Sequence, residues 1–431
     1  MMERKEYEVL IVGSGAGGAT LARELANRGT SVLVIEKGPR AKKLGSFRHT
    51  LPYFDANPLT RTPKKSEEGV VLWRTLMAGG STVVSCGNAT RCLEGELADL
   101  GVHLDAELNE AEQEMHVAPI EEGLLSDGSM RVRDAARELG YAMEPMPKFI
   151  DPARCKRCGQ CVFGCPNDAK WTATRYLDEA VAAGAEVAYE TTVDTVSIEN
   201  GTAVGVEGKG PRGEAVSGRA DTVVLCAGGF ASPVILQRSG FEDAGSGLFI
   251  DLLVNTYGVS EDAHMIGEPP MALGSHDFYE EKGFILSTYV SHHRLVRFME
   301  LGPKGLTLPD NRLLGIMTKS RDDSAGRVRP DGSVSKPVTD ADRARLQEGA
   351  SISTEILVKA GAKRDSIVVS GPQGAHPGGT AAIGKIVDEN LQTRVENLFV
   401  CDGSVLPTAP GMPPILTIVA LAKRLAAHLS T

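Results

Sequence analysis

The first part of the chain contains a glycine motif that restricts the fold more than any other segment. An apolar run over residues 8–12 leads into Gly13-x-Gly15-x-x-Gly18, a helical pattern follows, and a second apolar run covers residues 32–35. This order of strand, glycine turn, helix and strand is typical of the βαβ unit that binds dinucleotides. We therefore expect an α/β protein built on a doubly wound parallel sheet.

Each glycine of the motif, and the acidic residue that follows it, has a physical role. Gly13 permits the tight turn, Gly15 lets a pyrophosphate approach the backbone, and Gly18 lets the helix pack on the strand. The helix begins near Ala16, where free N–H groups and the positive end of the helix dipole face the phosphates. Glu36 stands about 20 residues downstream, where a carboxylate can accept hydrogen bonds from a ribose diol. The motif predicts a dinucleotide site without deciding between FAD and NAD, and a glycine turn without a ligand is the alternative.

Composition and charge exclude several other classes of protein. The 431 residues are 42% hydrophobic and 24% charged, with a net charge of −10 and no long run of lysine or arginine. This balance argues against a nucleic-acid partner and against an anionic membrane surface. No apolar run reaches the roughly 18 residues of a membrane span. The N-terminus enters a strand pattern without an apolar signal core, so we expect a cytoplasmic protein.

Later segments have the pattern of further strands of the same sheet. The segment 220–240 predicts a strand from Thr222 to Ala227, then a glycine pair and a helix. The segment 397–429 predicts a strand, a proline-rich loop and an amphipathic helix. Turn signals within 186–219 predict a small β-meander inserted between parallel strands. Distant segments of this kind return to complete the nucleotide site in doubly wound sheets.

Taken in order, these motifs resemble the glucose–methanol–choline (GMC) oxidoreductases, FAD enzymes that oxidise alcohols. The coverage is weakest over 240–335, which in that family forms much of the substrate pocket. The segment 164–187 resembles family members that carry cysteines there. The resemblance rests on "GSGAGG" with Glu36, "AGGSTVVSCGNATR" at 78–91, "CAGGFASPVILQRSG" at 226–240, "HPGGTAAIG" at 376–384 and "VCDGSVLPTAPGMPPILTIVALAKRLA" at 400–426.

The resemblance implies a Rossmann-like FAD-binding domain with a β-meander, plus a smaller α+β substrate domain. It also implies a cap or linker that contains a ferredoxin-like cysteine loop. The expected boundaries are 1–92, 181–240 and 385–431 for the FAD-binding parts, 93–180 for the cap or linker with the loop at 155–166, and 241–384 for the substrate domain.

The resemblance further implies which residues contact FAD. No histidine occurs in 78–91, where some relatives attach FAD covalently, so we expect the cofactor to be bound non-covalently. The ADP half is assigned to the first glycine motif and Glu36, and the ribityl chain to the Asp402-Gly403 pair. The predicted contacts are Gly13, Gly15, Ala16, Gly18, Glu36, Gly79, Gly80, Ser81, Val193, Ala227, Gly228, Asp402, Gly403 and Pro414.

The same resemblance assigns the catalytic base to His376, in the H-P-x-G-T motif. A neutral histidine suits this role because its pKa lies near working pH. The family sets a second histidine or an asparagine opposite, and here that position falls on Pro413, which has no side-chain donor. Another residue must supply that contact, or the chemistry differs from simple alcohol oxidation. Tyr289, His292 and His293 lie in the expected pocket region, although ordinary strand positions are the favoured interpretation.

Four cysteines, Cys155, Cys158, Cys161 and Cys165, have the spacing of a bacterial ferredoxin run that ends in Pro166. Structural zinc usually takes two separated pairs of ligands, and disulfides between such close neighbours would be strained. We expect a 4Fe–4S cluster held by all four thiolates. A three-iron cluster and a zinc site are the alternatives.

Together these features predict an FAD- and iron–sulfur-dependent dehydrogenase that oxidises a hydroxyl group of a small molecule. Flavin takes a hydride as two electrons, whereas a cluster carries one electron at a time. The expected partner is therefore a one-electron carrier, such as a ferredoxin-like protein, a cytochrome or another redox subunit, rather than oxygen. Two other functions stay open. One is a reductase that acts on a carbonyl or an activated double bond, and the other is an electron-transfer subunit without its own substrate.

Overall fold

A computed structural model describes residues 6–56 and 63–430 of the chain. The strands, in chain order, are β1 (Glu6–Val12), β2 (Val32–Ile35), β3 (Val71–Leu72), β4 (Ala118–Pro119), β5 (Glu144–Pro145), β6 (Pro147–Lys148), β7 (Glu186–Ala188), β8 (Thr192–Glu199), β9 (Thr202–Lys209), β10 (Ala215–Leu225), β11 (Ser246–Leu248), β12 (Leu253–Val259), β13 (Leu273–Ser275), β14 (Phe284–Thr288), β15 (Leu313–Ser320), β16 (Gly326–Val328), β17 (Val334–Ser335), β18 (Val368–Val369), β19 (Gln373–Gly374) and β20 (Leu398–Val400).

The α-helices are α1 (Ala16–Ala26), α2 (Phe47–Thr50), α3 (Glu94–Ala98), α4 (Asp105–Glu114), α5 (Asp127–Glu138), α6 (Ala173–Ala182), α7 (Ser232–Arg238), α8 (Tyr279–Lys282), α9 (Arg294–Leu301), α10 (Lys304–Thr307), α11 (Asp340–Lys359) and α12 (Ile415–His428). No helix in the described part of the chain is both long enough and apolar enough to cross a membrane.

The first sheet has the order β7-β2-β1-β10-β9-β8, and β20 also pairs with β10. Strands β7, β2, β1 and β20 run parallel to β10, whereas β9 and β8 form an antiparallel meander. Helix α1 packs against α6 and α12. The predicted parallel sheet with an inserted meander is therefore confirmed.

One strand of this sheet differs from its prediction. Instead of a short strand from Thr222 to Ala227, β10 runs without a break from Ala215 to Leu225. Its first residues pair with β9 and its last residues pair with β1 and β20. The strand was predicted too short because its first five residues lie on the meander, where exposed and half-buried positions alternate.

The second sheet is mainly antiparallel, with the order β3-β19-β12-β15-β14-β13-β5 and β18 beside β12. Helix α11 covers one face of it so closely that a Cβ added at Gly349 would lie 2.2 Å from the Thr318 side chain. The other face turns toward the first sheet. Because β3 and β5 precede residue 241, this sheet draws strands from outside the segment that we assigned to the substrate domain.

Candidate functional site

A cavity of about 560 Å³ lies between the glycine turns of the first sheet and the open face of the second. Its size is within the usual range for ligand sites of roughly 300–1,000 Å³. Most of the predicted FAD contacts meet there. Those that line it are Gly13, Gly15, Ala16, Glu36, Gly80, Ser81, Val193, Ala227, Gly228, Asp402, Gly403 and Pro414.

The glycines of the first turn divide into two kinds. A Cβ added at Gly15 would meet no atom within 4 Å, and at Gly80 the nearest atom is the Cα of Gly15 at 3.2 Å. A Cβ at Gly13 or Gly18 would instead come within 2.4 Å of a backbone oxygen. Gly15 therefore leaves room for a ligand and Gly80 lies close against it, whereas Gly18, with Gly79 behind the lining, permits close packing of protein on protein.

The carboxylate of Glu36 is held firmly at the end of β2. Its Oε2 accepts hydrogen bonds from the Ser14 amide at 2.9 Å and the Ser14 hydroxyl at 2.6 Å, and its Oε1 accepts from the Gly38 amide at 2.6 Å. Burial raises the pKa of Glu36. A carboxylate has about four acceptor positions, so one remains for a ribose hydroxyl. This buried acceptor and the open space at Gly15 fit the adenosine diphosphate part of FAD.

The carboxylate of Asp402 joins two turns of the first sheet. Its Oδ1 accepts from the Ser404 amide at 2.7 Å, and its Oδ2 accepts from the Gly228 amide at 2.8 Å and the Ser232 hydroxyl at 2.5 Å. Asp402 thus fixes the turn after β20 against the turn after β10. Its direct contact with the ribityl chain stays a prediction.

His376 reaches the same cavity and is paired with an aspartate that the sequence did not indicate. The Nδ1 atom of His376 lies 2.8 Å from Oδ2 of Asp251, and the other Asp251 oxygen accepts from the Gly411 amide at 2.9 Å. Burial lowers the pKa of His376 well below its usual range and raises that of Asp251 to about 7. With Nδ1 as the hydrogen-bond donor, the Nε2 atom of a neutral His376 is free to accept a proton.

The second sheet supplies the wall opposite the glycine turns. Lys319 on β15 and Tyr289 after β14 line the cavity there, and so does Glu300 at the end of α9. Glu300 accepts hydrogen bonds from the Tyr257 hydroxyl at 2.7 Å and the Ser291 hydroxyl at 2.9 Å, and burial raises its pKa to about 7. Pro413 lines the cavity as well and, as expected, offers no polar group.

The two histidines that precede α9 have structural contacts instead. A Cβ at Gly159 would lie 2.4 Å from Nε2 of His292, so that ring rests directly on the cysteine loop. The ring of His293 stacks on Phe47, with the ring centres 4.2 Å apart. The non-catalytic interpretation of this pair matches these contacts, whereas Tyr289 belongs to the cavity wall.

All four cysteines of the run line a second, small cavity. Cys161 is buried and Cys158 is exposed, and the Ala169 amide donates a hydrogen bond to the Cys165 sulfur at 3.3 Å. In residues 6–56 and 63–430, no three histidine, cysteine, aspartate or glutamate side chains are grouped so that they could hold a metal ion. The predicted cluster is therefore not shown. The chemistry of these residues, four thiols with an N–H directed at one sulfur, matches an iron–sulfur group, but the thiols as they stand are not grouped closely enough to hold a metal ion.

Two buried lysines lie beside the turns that line the large cavity, and one of them, Lys170, also bonds to the cysteine loop. The ammonium of Lys170 donates to the carbonyl oxygens of Val83, Ser85 and Cys161 at 2.7–3.0 Å. Lys148 donates to the Cys86 carbonyl and the Asn88 side chain nearby. Burial lowers the pKa of both ammonium groups to about 8. The turn Cys161–Phe163 is thereby fixed against the turn Gly80–Val84, which carries two of the predicted FAD contacts.

The comparison with protein families agrees with this architecture. The N-terminal and C-terminal models of the GMC oxidoreductases match residues 7–267 and 318–422. The chain belongs to the GMC oxidoreductase family. The members of this family are FAD-dependent oxidoreductases that act on CH–OH groups, so the predictions of FAD and of this enzyme class are confirmed. The iron–sulfur branch of the family is not shown by the match.

Individual relatives of this GMC oxidoreductase give the same result. An uncharacterized protein of Methanocaldococcus jannaschii is 32% identical over 97% of the chain and 98% of its own length. An uncharacterized GMC-type oxidoreductase of Mycobacterium tuberculosis is 29% identical over 96% of the chain and 74% of its own length. The crystal structure of pyridoxine 4-oxidase from Mesorbium loti superposes with a TM-score of 0.76 at 16% identity, covering 98% of the chain and 99% of that protein.

Proposed function

We propose that this GMC oxidoreductase is a dehydrogenase with non-covalently bound FAD and a 4Fe–4S cluster. It oxidises a hydroxyl group of a small molecule and delivers electrons one at a time to an external carrier protein. The observation that carries the proposal is the position of the cysteine loop. Four thiols with ferredoxin spacing surround one cavity, and Lys170 joins their loop to the turn beside the large cavity.

Different residues of the large cavity bind the cofactor and accept the substrate proton. Gly15, Gly80 and Glu36 hold the adenosine diphosphate end of FAD, which supplies a hydride acceptor when it is bound. His376 accepts the hydroxyl proton at Nε2, because Asp251 occupies Nδ1. The low pKa of His376 keeps the ring neutral and able to take that proton. The apolar part of the wall excludes water from the reacting hydroxyl.

The cysteine loop supports an exit for single electrons. Arg157 and Gly159 have left-handed backbone conformations, so the loop turns sharply there, and all four cysteines line the small cavity. Clusters of iron and sulfur carry one electron at a time, and hydrogen bonds to their sulfurs set the potential. In this proposal the Ala169 amide has that role toward Cys165.

The acceptor is the part of the proposal that needs the most direct test, since pyridoxine 4-oxidase, a solved structure with this fold, is an oxidase by name. The purified protein is analysed for iron, acid-labile sulfide and zinc. It is then mixed without oxygen with a panel of alcohols, sugars and hydroxy acids while the flavin absorbance is followed. Close to four irons per chain, together with turnover on a ferredoxin or a cytochrome but not on oxygen, is the expected result. Stoichiometric zinc, or turnover with oxygen as the efficient acceptor, contradicts it.

A further inference from the structure

The buried lysines of this chain provide an internal comparison. Five lysines among the residues that the structure describes are at most 3% exposed, and four of them have partners. Lys148 donates to backbone oxygens and to Asn88, Lys170 donates to backbone oxygens, Lys336 pairs with Asp322, and Lys423 pairs with glutamates. A buried ammonium without partners costs several kcal/mol, which is why such groups are normally paired.

Lys319 is the exception. It is 2% exposed, yet its ammonium makes no hydrogen bond or ion pair with any residue that the structure describes. It sits on β15, opposite Leu253 of β12 and Ile285 of β14, on the sheet face that lines the large cavity. Lys319 and His376 line the same cavity.

The charge of Lys319 is close to the catalytic pair. It contributes to the low pKa of His376, and it opposes the rise in the pKa of Asp251 that burial produces. It also lies near Cys86, another residue of the cavity wall. Pro413 also lines this cavity, at the position where a polar group is expected, and its side chain can donate no hydrogen bond.

We propose that Lys319 is a second catalytic residue, which donates a hydrogen bond to the substrate hydroxyl oxygen and stabilises the negative charge that grows there. This inference rests on the proposed function. As the C=O bond forms, the hydroxyl proton goes to Nε2 of His376 and the hydride, with its electron pair, goes to FAD. Lys319 does not transfer its own proton: burial lowers its pKa, but the nearby carboxylates of Asp251 and Asp322 oppose this fall and favour the ammonium. Its ammonium takes the place of the polar group that Pro413 does not provide.

The first test uses acetate, a stable oxyanion, and the FAD-loaded enzyme. Acetate binding is measured from the change in flavin absorbance in the wild type, in K319M and in K319R. We expect binding to weaken about ten- to hundredfold in K319M, because one charged hydrogen bond is lost, and to weaken less in K319R. K282M removes one exposed lysine from the same domain and should bind acetate like the wild type.

The second test measures how fast an alcohol reduces the flavin without oxygen. K319M should be slower by about 10²–10³-fold, as when one donor to a developing oxyanion is removed, with a smaller change in substrate affinity. Ethylamine should restore part of the rate of K319A, because it returns an ammonium to the vacated space. FAD content and circular dichroism establish first that each variant is folded, and K319Q replaces K319M if the latter does not fold.

Equal acetate affinity in the wild type and K319M overturns the proposal, as does an unchanged rate of flavin reduction. A lower flavin reduction potential in K319M, with acetate binding intact, also overturns the proposal. Lys319 would then stabilise the reduced flavin rather than bind the substrate oxygen. H376A separates this inference from the proposed function. If H376A is slow and K319M is normal, only the role of Lys319 fails, whereas a normal rate in H376A removes the proposed function itself.

Discussion

The two walls of the large cavity are built in different ways. On the cofactor wall, the glycine turn and its helix come from adjacent residues, and the position of each follows from its neighbours in the chain. On the substrate wall, His376 and Asp251 are 125 residues apart and meet only because β12 and the loop before β20 fold together. The residues of a contiguous motif are positioned by their neighbours in the sequence. The residues of the substrate wall are positioned only when distant segments of the chain have folded together.

The largest effect is expected on the substrate wall, from H376A. Loss of the proton acceptor should slow flavin reduction by about 10²–10⁴-fold, the usual range for removal of a general base. FAD should stay bound, since His376 is not part of the cofactor wall proposed here. Stopped-flow absorbance without oxygen measures the rate. A variant that loses FAD together with its rate would show that the two walls are not independent.

The next effect concerns the cysteine loop, which belongs to neither wall. C158S should lose iron, because serine binds iron less well than a thiolate, and turnover with a one-electron acceptor should fall at least about tenfold. Flavin reduction by the substrate should stay near the wild-type rate. C92S, a change at a buried thiol paired with Thr417, is the control and should keep its iron. If C158S lacks iron but turns over with the one-electron acceptor at the wild-type rate, the cysteine loop has only a structural role.

On the cofactor wall, two glycines three residues apart should behave in opposite ways. An alanine at Gly15 meets no protein atom, so G15A should fold normally, and its methyl group should weaken FAD binding at least about tenfold by occupying ligand space. An alanine at Gly18 would lie 2.0 Å from a backbone oxygen, so G18A should lose about 1–3 kcal/mol of stability. Thermal unfolding and FAD titration measure the two effects. Equal stability losses would mean that both glycines serve packing alone.

The sequence named most residues of the cofactor wall, whose contact with FAD stays a prediction, but on the substrate wall it named His376 without Asp251 or Lys319, for a physical reason. The turn residues, Glu36 and the strand that ends at Asp402 could be identified because each lies beside its own strand. Asp251 could not be identified, because its partner His376 lies far along the chain. Lys319 could not be identified either, because Arg321, Asp322 and Asp323 follow it and make it resemble part of a charged turn. For Asp251 the available signal was its isolation within the apolar segment 248–254, since a lone buried charge requires a partner or a ligand.

The smallest expected effect is a pH dependence that comes from Glu300 on the substrate wall. Burial raises its pKa to about 7 in the folded protein, whereas an unfolded glutamate titrates near 4.5. Between these values the folded state holds a proton that the unfolded state has lost, so this group's contribution to stability falls as the pH rises. E300Q stays neutral and keeps the side-chain shape.

The stability of E300Q relative to the wild type should therefore increase by up to about 2 kcal/mol between pH 5 and pH 8. Urea unfolding of the two FAD-loaded proteins at both values measures the difference. E348Q removes an exposed carboxylate, paired with Lys282 on the surface, and should show little pH-dependent change. A constant difference between E300Q and the wild type would mean that Glu300 is ionised in the cavity. The substrate wall would then carry a negative charge in addition to the positive charge of Lys319, and it would favour a substrate with a cationic group.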